Sequence, residues 1–280
     1  MNFKKKIIQL LKKYLPPKVI HKLIYIRDIP KKIKINYSKY ILKFLITDIY
    51  DEEKKNKIFT LRNFGGSTIS RGFHLFSSQP GITKWIDTFD EKSCFVDIGA
   101  NIGIFSLYAA TKKHNVLALE PESLNFACLN LNIKDNNFEN YITAYPISVD
   151  EENKISFLNM RVMKFGGSAS TFGRCIGPYG ETFDPIYKQG SVSYRLDDIV
   201  KKDLLSVNYI KIDVDGNELQ VIRSMPNIIK SSSLKSICIE LNPNTDEGKE
   251  VIRILSKDLP KYKPIPWYKN QVVCDYIFEK

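Results

Sequence analysis

The segment Asp97-Ile98-Gly99-Ala100-Asn101-Ile102-Gly103 follows the apolar run Cys94 to Val96 without a break, and an apolar helical stretch begins directly after it. Gly99 and Gly103 would let the backbone turn tightly and approach a ligand with no side chain in the way. The helix start beyond them would offer free N–H groups to an acceptor. Such a turn makes a nucleotide-type crevice at the carboxyl end of the first strand of an α/β sheet. The order G-A-N-I-G differs from the G-x-G-x-x-G of dinucleotide enzymes, and an acid precedes it. Asp97 would repel a pyrophosphate but welcome the cationic amino-acid end of S-adenosyl-L-methionine, which favours a methyl donor as the ligand. A second apolar run ends in Leu119-Glu120-Pro121. A carboxylate about 20 residues beyond the glycine turn is where ribose hydroxyls would be held, which gives Glu120 that role.

These blocks resemble the FkbM family of methyltransferases over roughly 58–242. The resemblance is carried by FVDIGANIG (95–103), ALEPESLNFACLNLNI (118–133), GGSAS (166–170), SYRLDDIV (193–200), YIKIDVDGNELQVIRS (209–224) and ICIELNP (237–243). It implies an α/β, class I methyltransferase-like (Rossmann-like) fold: a mixed seven-stranded sheet with helices on both faces. It also implies methyl transfer to an oxygen, usually on a sugar. The family pattern puts Asp97, Gly99, Asn101 and Gly103 at the methionine moiety, Glu120 on the ribose, Ser148 near the adenine and Asp213 facing the sulfonium and acceptor region, with Ala100 also counted as cofactor-binding. Asp215 departs from the glutamate common at its position, and Gln79 departs from the acid often found before Pro80.

Methyl transfer from a sulfonium is an in-line displacement, so alignment dominates. A sugar hydroxyl also needs somewhere to send its proton, and Asp213, then Glu240, each ending an apolar run, are the candidate bases. Asp213 and Asp215 form a D-x-D pair able to hold a divalent ion such as Mg²⁺, but a metal-free site is preferred. The plainer role for Asp215 is a helix N-cap beside Gly216, and capping also accounts for Asp197 and Asp198. His74, Arg71, Arg174 and Arg195 are weaker candidates, the arginines for acidic groups on an acceptor.

The elements that must position these groups follow a βαβ alternation from Ser93 onward. Strands are predicted near 94–98, 116–120, 141–149, 207–213 and 236–241. Helices are predicted near 103–113, 122–134, 216–229 and 246–257, with a closing antiparallel hairpin over 262–278. Residues 58–92 read as a hairpin around Gly65-Gly66 and a short helix at Trp85. The glycine-rich stretch 150–192 reads as an insertion that covers a substrate. The predicted organisation is an N-terminal arm over 1–57 and a methyltransferase domain over 58–280.

With 43% hydrophobic and 26% charged residues in 280, the chain is globular rather than disordered or fibrous. Cys94, Cys128, Cys175, Cys238 and Cys274 form no CxxC pair, and three histidines add no zinc spacing. With no signal-peptide pattern, they fit a reducing cytoplasm. The net charge of +11 belongs to the arm, where thirteen Lys/Arg face Asp28 alone in residues 1–46. Phe3, Ile7, Leu10, Leu11, Tyr14 and Leu15 lie on one face of a lysine-rich helix there. That face suits a cap on a protein core slightly better than a peripheral contact with an anionic membrane. Two other functions compete with a surface-glycan O-methyltransferase. RNA methylation through the arm lacks an [ND]PP[YFW] box, and a non-catalytic glycan-assembly scaffold would not need an intact cofactor turn.

Overall fold

The computed structural model describes residues 46–51, 56–73, 75, 80–203, 206–266, 268 and 271–280. The arm helix, its membrane contact, His74 and Gln79 lie outside the described residues. In chain order the elements are β1 (Ile46–Asp51), β2 (Asn56–Arg62), α1 (Gly66–Phe73), α2 (Pro80–Ile86), β3 (Cys94–Ile98), α3 (Ile104–Thr111), β4 (Asn115–Leu119), α4 (Ser123–Asp135), β5 (Ile142–Tyr145) and β6 (Ser148–Val149). There follow β7 (Lys154–Met160), β8 (Ser170–Phe172), β9 (Tyr187–Tyr194), α5 (Leu196–Asp203), β10 (Tyr209–Ile212), α6 (Glu218–Arg223), α7 (Pro226–Lys230), β11 (Ser236–Leu241), α8 (Asp246–Leu255), β12 (Lys261–Ile265) and β13 (Cys274–Glu279).

Seven strands form one sheet in the order β12-β13-β11-β10-β3-β4-β5. The run from β11 to β5 is parallel, and β13 enters antiparallel between β11 and β12. β3 and β10 are buried along their whole length, as parallel strands covered on both faces must be. Alternate residues feed two cores. Phe95, Val116, Ala118 and Cys238 pack under α3 and α4. Val96, Ile98, Ile210, Ile212, Ile237 and Ile239 pack among the buried residues of α5 to α8. The order reverses direction at β3, so the crevice at that switch point opens outside the carboxyl ends of β3, β4 and β10. This is the class I, Rossmann-like methyltransferase fold expected from the sequence. No helix among the described residues is long and apolar enough to cross a membrane.

Four details differ from the sequence reading. The hairpin is β1 with β2, so residues 46–57, counted with the arm, contribute to it, and the stretch after Gly65 is the helix α1. Thr68 accounts for the change: its hydroxyl accepts from Phe64 N and donates to Gly65 O, which ties the residues before the helix to its first turn. The predicted strand 141–149 splits at Pro146, which has no N–H to extend the ladder, and β6 leaves for another sheet. The predicted helix 216–229 divides into α6 and α7, because Pro226 opens a new first turn. The insertion is not a bare loop: β7, β8 and β9 join β6 in a four-stranded sheet ordered β6-β9-β7-β8. Leu158, Met160 and Phe172 form its small core.

Candidate active site

The turn after β3 is held by backbone geometry. Gly99, Asn101 and Gly103 have φ of +77°, +53° and +88°. Gly99 N and Ala100 N donate to Leu119 O at 2.9 and 3.1 Å, and Gly103 N donates to Ala100 O at 2.8 Å. A Cβ on Gly99 would overlap the Asp213 carbonyl oxygen, so this turn and the end of β10 come together only because position 99 has no side chain. Gly103 leads into α3 and leaves room for Leu129. Asparagine is among the few residues that tolerate the left-handed region. Asn101 is tied down there by its N–H to Glu120 Oε2 (2.7 Å) and its amide to Gly167 O (2.6 Å).

Glu120 is buried at the end of β4, and its other oxygen accepts from Glu122 N at 2.8 Å. Burial pushes its carboxyl up to about 7, against the pull of these two N–H bonds. Each oxygen keeps a lone pair for a further donor. Glu122 caps α4 through Leu124 N and Asn125 N. Asn125 then reaches the insertion, its amide donating to Gly167 O (3.0 Å) and its carbonyl accepting from Gly166 N (2.8 Å). The glycine-rich stretch is thereby strapped against the turn.

A charged group faces the turn from β10. Lys211 and Asp97 are register partners on β10 and β3, and both are buried. Lys211 Nζ donates to Asp213 Oδ2 at 2.9 Å and stands 5.1 Å over the Phe105 ring. Burial would lower its pKa, but Asp213, Asp97 and Asp275 override this and hold it above the usual lysine range. Asp213, its side chain 25% exposed, is kept below the usual carboxylate range by Lys211 against the opposing effect of burial. Beyond it the negative charge goes uncompensated. Burial and neighbouring acids push Asp215 up to about 6, Glu218 up to about 7, and Glu240 well above its ordinary value. Oxygens of Asp213, Asp215 and Glu240 lie within 4.8 Å of one another, a spacing able to hold a divalent ion.

Gly99, Asn101, Glu120, Ser148, Asp213 and Glu240 line one pocket of about 200 Å³. Asp97, Ala100 and Gly103 are not on its wall. Asp97 lies behind it, accepting from Ser106 Oγ at 2.6 Å with Oδ2 while Oδ1 has no partner. Burial, partly offset by Lys211, raises its pKa. Ser148 sits on the wall with Ile147 and Val149, and the insertion contributes Leu158 and Phe172 to it. Those two have no mark in the sequence that distinguishes them from ordinary core residues, whereas Asn125 and Gly167 fall within the blocks 118–133 and 166–170 that carried the resemblance but had no role assigned. Asp215 does not cap α6, whose N-cap is Asn217; it has φ +55° and accepts from Ala169 N at 2.6 Å. Asp197 caps α7 rather than its own helix, through Asn227 N and Ile228 N. Arg174 is engaged by Glu247 and Gly216 O, and Arg195 by Glu151 O.

The profile of the methyltransferase FkbM domain matches residues 97–262, more than half of the chain. The chain belongs to the FkbM methyltransferase family. It is an enzyme of methyl transfer, and the matched FkbM region runs from the acid of the glycine turn into β12. This FkbM methyltransferase is 25% identical over 190 residues to the hexuronic acid methyltransferase AglP of Haloferax volcanii, spanning 65% of this chain and 70% of that one. It is 26% identical over 151 residues to Methyltransferase 1 of Beauveria bassiana, spanning 49% of this chain and 60%, under two thirds, of that relative. Among solved structures, it is similar to the N-terminal domain of human METTL16 in complex with SAH, with a TM-score of 0.44, 13% identity, and 90% and 95% of the two chains covered.

Proposed function

We propose that this methyltransferase binds S-adenosyl-L-methionine in the pocket at Gly99 and transfers its methyl group to a hydroxyl of a sugar, in the biosynthesis of a bacterial surface glycan such as capsule, lipopolysaccharide or exopolysaccharide. The observation that carries the reading is the single pocket in which the Gly99 turn, the buried Glu120 and the Asp213–Glu240 carboxylates meet. The residues suit the cofactor. Glu120 has lone pairs free for two ribose hydroxyls. Ile147, Ser148, Val149, Leu158 and Phe172 offer a largely apolar wall to a base. Asp97, behind the turn with one oxygen unpartnered, suits the methionine ammonium through its negative charge rather than by direct contact. Bound there, the cofactor supplies an electrophilic methyl group on a sulfonium.

Asp213, kept ionised by Lys211, orients the acceptor hydroxyl and takes its proton as the oxygen attacks. Glu240, whose protonated form burial and Asp213 favour, donates a hydrogen bond to the acceptor and keeps it in line. The name of the Haloferax relative supports a sugar acceptor. A metal-free site remains the favoured form, because the Lys211 ammonium already occupies one oxygen of Asp213. The chemistry fits a cytoplasmic enzyme, with the basic segment 1–46 available for membrane-linked acceptors.

Calorimetric titration with S-adenosylhomocysteine, without and then with Mg²⁺, tests the reading. Micromolar binding in both buffers is expected; no binding in either sinks the cofactor assignment, and binding only with Mg²⁺ replaces the metal-free site by a metal-bound one. Glu120→Gln should weaken S-adenosylhomocysteine by about 100-fold, two charge-assisted hydrogen bonds being reduced to weaker ones. It should also change the pH dependence of stability. The Glu120 pKa rises from 4.5 to about 7 on folding. Its stabilising contribution is therefore complete below the unfolded value and lost as pH rises through about 7. Thermal melts of the empty protein between about pH 5 and about pH 8 should fall less steeply in the glutamine variant than in the parent. Equal slopes together with unchanged binding would remove Glu120 from the site.

A further inference from the structure

Arg71 is the one cation among the described residues lining the pocket, facing the carboxylates Glu120, Glu122, Asp213, Asp215 and Glu240. It lies in the last turn of α1. Its Nε donates to Gly166 O at 2.9 Å, its one hydrogen bond to a described residue. That carbonyl does not drift, because Gly166 N is held by Asn125 and a Cβ at Gly166 would come within 3.1 Å of Ser67 C and Thr68 N. The helix and the glycine strap are in close contact, and one edge of the guanidinium is locked between them. The Nη edge has no ion pair with any described residue. Its field nevertheless reaches Glu120, Asp213 and Asp215, whose protonation it disfavours.

A half-buried guanidinium that is held by one edge and closes on none of the nearby described acids is poised for a ligand. The ligand's charge is bounded by its surroundings. A phosphate, with up to two negative charges, would meet the ionised Asp213 and four further acidic groups, whereas a single carboxylate matches the planar fork and brings the least repulsion. We infer that Arg71 and the Gly166 strap form a carboxylate-binding subsite, which engages either the methionine carboxylate of the cofactor or the carboxylate of a uronic acid acceptor. This assignment rests on the function proposed above and adds to it the group that holds the acidic end of a ligand. Arg71 binds through the Nη edge while Gly166 O holds its Nε, so part of the cost of ordering the side chain is met before the ligand arrives.

The test compares Arg71→Met and Arg71→Lys with the parent, using S-adenosylhomocysteine, 5′-methylthioadenosine (which lacks the amino-acid end), a glucuronoside and the matching neutral glucoside. Thermal melts establish that each variant is folded. If the occupant is the cofactor, Arg71→Met weakens S-adenosylhomocysteine by about 30-fold, leaves methylthioadenosine unchanged, and Arg71→Lys recovers part of the loss. If it is the acceptor, S-adenosylhomocysteine binding is unchanged and only the glucuronoside loses affinity, the glucoside keeping its own. Equal affinities in parent and variants overturn the assignment, as does a parallel loss of S-adenosylhomocysteine and methylthioadenosine, which would mean a role in holding the strap alone. A parent protein that binds no S-adenosylhomocysteine overturns the cofactor reading itself, an outcome distinct from a failure of Arg71.

Discussion

Asp213→Asn is expected to reduce methyl transfer by about 1,000-fold while leaving S-adenosylhomocysteine affinity within a few-fold of the parent, the size typical of losing a positioned base. Asp213 is the acid at the pocket that the structure keeps charged, because Lys211 is bonded to it at 2.9 Å. The amide would still fill the space, but it could not accept a proton. It would also leave the buried ammonium with weaker compensation. Asp97 and Asp275 still act on Lys211, so the expected destabilisation is about 2 kcal/mol, below that for stripping a buried charge of all partners. Glu240→Gln supplies the contrast. Glu240 sits well above its ordinary value, pushed first by burial and then by Asp213, which favours its protonated form. A glutamine mimics that form, so a loss of only about 10-fold is expected. Single-turnover rates with a sugar acceptor, paired with calorimetry, decide between them. Full activity in Asp213→Asn, or a larger loss in Glu240→Gln, would transfer the base role to another carboxylate of the cluster.

Gly99→Ala should cost about 4 kcal/mol of stability and remove measurable S-adenosylhomocysteine binding. Two effects combine. Alanine is strained at φ +77°, and its Cβ would overlap the carbonyl oxygen of Asp213. The clash is with backbone, so no rotamer relieves it. The turn must part from the end of β10, and with it go the bonds of Gly99 N and Ala100 N to Leu119 O. Gly190→Ala is the control: Gly190 lies on β9, its φ is ordinary, and nothing stands within 4 Å of its new Cβ. Denaturant melts and calorimetry on both variants check the prediction. A Gly99→Ala protein with normal stability and binding would mean that this close approach is not what shapes the pocket.

The turn, Glu120 and the strand-end acids were legible in the chain because each belongs to a short local pattern. An apolar run, a glycine pair and a helix start lie within residues 94–110, and the acids follow the last apolar residues of their own strands. A parallel strand leaves its next residue at the sheet edge whatever the rest of the molecule does. The resemblance to FkbM methyltransferases rested on the same blocks, and so did the expectation of a seven-stranded sheet.

The remainder depended on which distant segments meet. Thr68 turned an expected hairpin into α1 and so delivered Arg71 to the pocket. Pro146 sent Ser148 out of the main sheet, and the glycine-rich insertion became a second sheet whose Leu158 and Phe172 close the pocket wall. Asp97 matched the motif but lies behind the wall, because β3 and β10 pair in a register that sets it beside Lys211. Asp215 became a raised-pKa acid rather than a helix cap once Ala169 N, 46 residues away, bonded to it. Local spacing determines where a strand ends and a turn begins. Burial, the field of neighbouring charges and the partner of a hydrogen bond come from contacts far apart in the chain, so the tertiary structure alone decided which acids are charged and which residues line the pocket.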